Sequence, residues 1–187
     1  DGGSLDRAIR ALGHHVLFAD AADAFSTHRI RRSIDWRLQR KPSHIKRFAW
    51  QLNQGLGALK SEVLLTTGFA PIPATTLRII RGTGVRCINF LTDDPWNPGF
   101  RARWIVDAIA TYDEVFTPRR ANLPDLQALG IRRVDYLPFG YDPEIFSPAP
   151  PDELKYDILF AGGADGGRAP LLGALVHAGF RPAVYGR

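Results

Sequence analysis

Methionine is absent from all 187 residues, and cysteine occurs once, at Cys87. A single thiol excludes an internal disulfide and fits a reducing compartment. Set in the run VRCINFL, it reads as a buried strand residue rather than a reactive thiol. No apolar run approaches the ~20 residues that a membrane-spanning helix needs. No signal-peptide pattern opens the chain, so a cytoplasmic location is expected. His14, His15, His28, His44 and His177 show no metal-ligand spacing and read as surface or core residues. Lysine is scarce: Lys41, Lys46, Lys60 and Lys155 are the four among 24 basic residues. The start at Asp1 and the stop at Arg187 are abrupt, and a fragment or trimmed domain is expected.

What is present is the mix of a globular protein, with 45% apolar and 23% charged residues. The formal net charge is +5. Arg29, Arg31, Arg32, Arg37, Arg40, Lys41, Lys46 and Arg47 stand against Asp35 alone, a local +7 that leaves −2 for the rest. Such a stretch is most often a solvated face. Its alternative is contact with an anionic membrane surface, at the inner face of the membrane. Nucleic acid is not expected, because no recognition module or array of stacking aromatics accompanies it.

Apolar periodicity alternates between helix and strand. Residues 4–12 read as a helix with Ser4 as its N-cap and Gly13 as its stop. Residues 15–20 (HVLFAD) read as a buried strand, with a preceding first strand missing. A helical stretch over 26–59 is split by Pro42, and Ser43 is placed to cap its second half. Strands follow at 62–67, 85–91, 114–117 and 133–137, separated by helices at 74–81, 100–110 and 120–129. Residues 138–151 hold five prolines and read as a connector. From Tyr156 the pattern restarts as strand, glycine-rich turn, helix and strand. The expected architecture is α/β with parallel sheets: a Rossmann-like domain over 1–150, then the first βαβ of a second such domain over 151–187.

In open parallel sheets, ligands bind beyond the carboxyl ends of the strands. Two segments there carry chemistry. The turn GGADGG (Gly162 to Gly167) precedes a helix whose amides and positive dipole end suit a phosphate, with Arg168 as a bidentate partner. It is neither a Walker A loop nor GxGxxG. A tight strand-to-helix turn with an exposed arginine explains it equally well. Asp93 and Asp94, in TDDPWN, are the second segment. Adjacent carboxylates there suit a base, a metal or sugar hydroxyls, yet an Asp-Pro turn with one capping carboxylate is the plainer reading. Neighbouring strand residues point opposite ways, so one functional carboxylate is favoured. Trp96 is suited either to stacking on a sugar ring or to packing on the surface. PFGYDPEIF, with Gly140, Tyr141 and Asp142, is either a cleft loop or a hinge.

LTDDPWN, YDEVFTP, LPFGYDPEIFSP and YDILFAGGADGGR, in that order, resemble the bacterial CgeB-like glycosyltransferases of the GT-B fold, related to the group 1 glycosyltransferases. The resemblance covers most of the chain from about Leu5 and is strongest from Ile88 onward. It implies two Rossmann-like domains facing across a cleft, with the acceptor on the N-terminal side and a nucleotide-sugar on the C-terminal side. It further implies that Gly162, Gly163 and Arg168 face the donor diphosphate. From their positions at strand ends, Asp93 or Asp142 is expected to orient or deprotonate the acceptor hydroxyl, and Asp94, Trp96, Gly140 and Tyr141 to line the acceptor side. No metal or other cofactor is implied, since the nucleotide-sugar is a substrate. The family's later glutamate-bearing donor segment lies beyond Arg187, so this chain by itself is expected to be inactive. The alternatives are a non-catalytic module of the same fold that binds a glycan or a partner, and a nucleotide-sugar epimerase-like enzyme.

Overall fold

The computed structural model describes residues 2–28, 33, 34, 37, 40–99, 101–146, 156–163 and 167–186. They form two compact units, Asp1–Tyr141 and Asp142–Arg187, divided inside the proline-rich stretch.

The first unit is built on four parallel strands in sequential order: β1 (Val63–Thr67), β2 (Arg86–Phe90), β3 (Glu114–Thr117) and β4 (Arg133–Tyr136). The register runs from Val63 opposite Arg86 to Thr67 opposite Phe90, and Glu114 sits between Ile88 and Arg133. The fold is therefore mixed α/β with a parallel sheet. Parallel neighbours need crossovers, and helices supply them. α2 (Ile45–Ala58), α3 (Ala74–Gly82), α4 (Arg103–Ile109) and α5 (Leu123–Ala128) follow α1 (Gly2–Ala11) in the chain. Gly84 and Gly130 end α3 and α5 with positive φ, as glycine uniquely permits at low cost.

The sheet's two faces differ. Leu64, Cys87 and Val115 point into a core shared with Leu52 and Leu56 of α2, Leu77 and Ile80 of α3, and Ile105 and Ile109 of α4. The alternate residues, Val63 and Leu65, are 48% and 40% exposed, and Ile88, Phe90 and Phe116 are only half-buried. Glu114 is the exception on that face. It is 3% exposed, and its carboxylate pairs with Arg86 and, at 3.5 Å, with Arg133.

Four local expectations are corrected. Residues 15–20 form no strand. A strand exists by hydrogen bonding to a neighbour. This segment instead runs against α2, with Leu17 over Gly55, where a Cβ would stand 2.5 Å from its Cδ2. Leu17 and Phe18 stay half exposed. Ser4 lies inside α1, accepting from Arg7 at 3.2 Å, because the helix already starts at Gly2. The N-cap of α2 is His44, one residue after the expected Ser43. Of the first half of the helix expected over 26–41, Ser33, Ile34 and Arg37 are helical, while Ser26 to His28 are not. Arg29, Arg31, Arg32 and Asp35 lie outside the described residues.

The second unit pairs β5 (Ile158–Ala161) with β6 (Pro182–Tyr185) in parallel, joined through α6 (Ala169–His177). α6 buries none of its residues, though its sequence APLLGALVH is apolar nearly all round. Asp157 closes the base of this unit. It accepts from the Arg181 backbone at 2.8 Å and from its guanidinium at 3.2 Å.

Candidate functional site

The carboxyl ends of β1, β2 and β3 converge on a polar rim. β1 runs into Gly68, whose φ of +58 favours glycine. Its amide donates to Phe90 O at 2.8 Å, which binds the loop to the end of β2. A Cβ at this position would stand 3.2 Å from Asp93 Oδ2 and 3.3 Å from Thr92 Oγ1. Glycine is thus needed there twice, for the backbone turn and for the close approach of Asp93. Thr92 Oγ1 donates to Asp93 Oδ2 at 3.1 Å. From the end of β3, Arg119 reaches across to donate its Nε–H to Thr92 O at 3.0 Å. Gly68, Thr92, Asp93 and Arg119 therefore form one connected group.

The two adjacent aspartates part company. Asp93 faces the rim, whereas Asp94 Oδ1 accepts from the Trp96 amide at 2.9 Å and Asp94 O from the Asn97 amide. Asp94 is the turn-capping carboxylate. Trp96 packs half-buried against the core. The TDDPWNPG loop is held from outside by Arg40, which donates to Pro98 O at 2.6 Å and to Arg101 O at 3.1 Å. Trp104 Nε1 donates to Arg40 O in return, at 2.7 Å. One residue of the basic stretch is thus part of the architecture of this loop, while Lys46 and Arg47 are exposed on α2.

Below the rim lies a buried polar cluster. Asn89 Nδ2 donates to Thr66 Oγ1 at 2.7 Å and to Gly68 O at 3.1 Å. Thr66 Oγ1 also meets Tyr112 Oη at 3.0 Å. Burial pushes the Tyr112 phenol well above its ordinary pKa, and the neighbouring Thr66 and Asn89 side chains offset part of that rise. Asn89, Tyr112, Gly68, Arg40 and Arg119 were not singled out by sequence reasoning as site residues. Only the strand-end rule pointed toward Gly68 and Arg119.

Past β4, Phe139 sets its ring edge-to-face against Phe90, with centroids 5.9 Å apart. Gly140 and Tyr141 follow in the open, Tyr141 75% exposed. In the second unit, Asp142 Oδ1 accepts from the Glu144 amide at 3.0 Å, and Asp142 O from Phe146 at 2.8 Å. Asp142 therefore opens a helical turn.

The glycine turn leaves β5 at Gly162, where φ is +151 and the amide donates to Tyr185 O at 2.8 Å. Gly186 comes against it so closely that a Cβ there would stand 2.1 Å from Gly162 O. One close approach allowed by these glycines is thus between two ends of the same small sheet. Arg168 is the N-cap residue of α6 and donates Nη1–H to Gly163 O at 2.9 Å, bracing the turn across its mouth. Ala164, Asp165 and Gly166 lie outside the described residues. Among the described residues, no three or more His, Cys, Asp and Glu side chains gather to hold a metal, and no helix is long and apolar enough to cross a membrane.

The chain was compared with family models, with curated proteins and with solved structures, and none of them matches it.

Proposed function

We propose that this chain belongs to a nucleotide-sugar-dependent glycosyltransferase of the CgeB-like kind with the GT-B architecture. Residues 1–150 would serve the acceptor side and 151–187 would open the donor domain. The observation that carries this reading is the Gly162–Gly163 turn at the carboxyl end of β5, followed by Arg168 and the N-terminus of α6. Loop amides, a helix dipole and a guanidinium in that order suit the charge that develops on a leaving diphosphate. Arg168 would exchange its bond to Gly163 O for the anion. Asp93 is the favoured group to orient or deprotonate an acceptor hydroxyl, because Asp94 and Asp142 already hold turns together.

Titrating UDP, dTDP and GDP into the 15N-labelled chain tests the donor side. Amide shifts at Gly162, Gly163, Gly167 and Arg168 support it, and silence at millimolar nucleotide sinks it. For the chemistry, Asp93→Asn in an enzyme carrying this chain is expected to lower kcat roughly 10²–10⁴-fold. Unchanged turnover removes Asp93 from the role. A second reading, a non-catalytic binder of the same fold, is favoured by the engagement of Asp94, Asp142 and Arg168 in local turns. It predicts glycan binding with no consumption of any nucleotide-sugar. The stretch Arg29 to Arg47 is proposed to meet anionic lipid weakly. Sedimentation with anionic vesicles at low salt, fading as salt rises, checks this.

A further inference from the structure

The polar cluster under Gly68 is one hydrogen bond short of a closed ring. Gly68 O can only accept, so the Asn89 group facing it at 3.1 Å is the amide nitrogen, and the orientation of the amide is fixed. The same nitrogen donates to Thr66 Oγ1 at 2.7 Å. Thr66 has one proton to give, and Tyr112 Oη at 3.0 Å is a closer acceptor than Ile88 O at 3.4 Å. Tyr112, having accepted, keeps its own hydroxyl proton for a further bond. Among the described residues Asn89 Oδ1 is left as a buried acceptor with no partner, on a residue 1% exposed. Asn89 and Tyr112 both line a cavity of about 10 Å³, together with Gly68, Phe69 and Ala70 and with Trp104, Ile105, Ala108 and Ile109 of α4.

An unpaired buried acceptor has lost its hydration with nothing in return. One water needs about 10–15 Å³ of such space and at least two polar partners. We infer that this cavity is a binding site for a single water molecule, which accepts from Tyr112 Oη and donates to Asn89 Oδ1. The donors then run one way around the ring: Asn89 Nδ2 to Thr66, Thr66 to Tyr112, Tyr112 to water, water to Asn89 Oδ1. Asn89 Oδ1 and the Tyr112 hydroxyl proton are then both paired. An apolar occupant leaves Asn89 Oδ1 unpaired. The ring ties β1 to β2 and to the residue three past the end of α4. Through Asn89 it also holds Gly68, the glycine against Asp93. This assignment stands independently of the glycosyl-transfer reading.

Two measurements on the intact chain decide it. A crystal structure at about 1.5 Å is expected to show one ordered water within hydrogen-bond reach of both Asn89 Oδ1 and Tyr112 Oη. In solution, the Asn89 side-chain amide protons are expected to give cross-peaks to a long-lived water, and these are expected to be lost in Tyr112→Phe. A dry cavity, a water touching only one of the two groups, or cross-peaks that persist unchanged in Tyr112→Phe would each overturn the proposal. Should that variant fail to fold, the density and the cross-peaks of the parent chain still decide.

Discussion

Cys87 shows how position governs the chemistry of a side chain. Its residue is fully buried in β2, and its amide donates to Asp113 Oδ2 at 2.8 Å. Burial first, and then the Asp113 charge, push the thiol up to about 11, with Arg81 pulling slightly the other way. The folded thiol therefore stays protonated and inert at neutral pH. Iodoacetamide at pH 8 should leave it unmodified until denaturant unfolds the first unit; rapid labelling of the native chain would contradict this placement. The raised value also sets a pH window. The stability it brings is complete below the unfolded value near 9.0 and is lost as pH climbs toward 11. A denaturation midpoint that falls over that interval, and falls less in Cys87→Ala, is the expected result. Gly186 is constrained by geometry instead. Its φ of +148 and the 2.1 Å approach to Gly162 O leave no room for a side chain. Gly186→Ala should destabilise the second unit by about 2–4 kcal/mol, read as faster amide exchange across Ile158–Ala161. Of these residues, Cys87 was legible in the sequence from its apolar neighbours. Gly186 was not, because its constraint comes from a backbone 24 positions earlier.

Strands and helices tell a similar story one level up. The strands at 62–67, 85–91, 114–117 and 133–137 were readable because each is a short run rich in apolar residues, closed by glycine, proline or polar residues. HVLFAD has the same local look and forms no strand. Pairing is a property of two segments, and the sequence of one does not contain it. The rim was legible in part, since strand ends are where parallel sheets bind ligands. Its support was hidden: Asn89 lies 23 residues from Thr66, and Tyr112 lies 46 from it. Glu114 is a test of how an open sheet face tolerates charge. It is buried, while Arg86 and Arg133 beside it remain 54% and 55% exposed. Glu114→Ala removes the carboxylate but lets both guanidinium groups turn to water. The expected loss is about 1–2 kcal/mol, measured by urea denaturation. A loss above about 4 kcal/mol would mean that the arginines are trapped.

At the scale of the whole chain, the distribution of apolar surface matters most. Parallel sheets normally have both faces covered. In the first unit Val63 and Leu65 stay exposed, and Phe139 is 67% exposed. In the second, Leu159, Leu171 and Val176 are all at least 56% exposed. Native chain should therefore enhance the fluorescence of a dye such as ANS well above that of an ordinary folded protein. Leu65→Lys combined with Val63→Thr should reduce that signal; no enhancement in the parent would show the face to be covered.

The clasp between Arg40 and Trp104 bears on the order of folding. Its hydrogen bonds join residues 58, 61 and 64 positions apart. Closing a loop of that length costs entropy that only a formed partner surface can offset. The β1–β2 crossover is far more local, so it should assemble first and present the 92–99 loop to a still-unclasped Arg40. The loop that carries Asp93 would then take its final form late, and mutations at Arg40 should speed unfolding more than they slow folding.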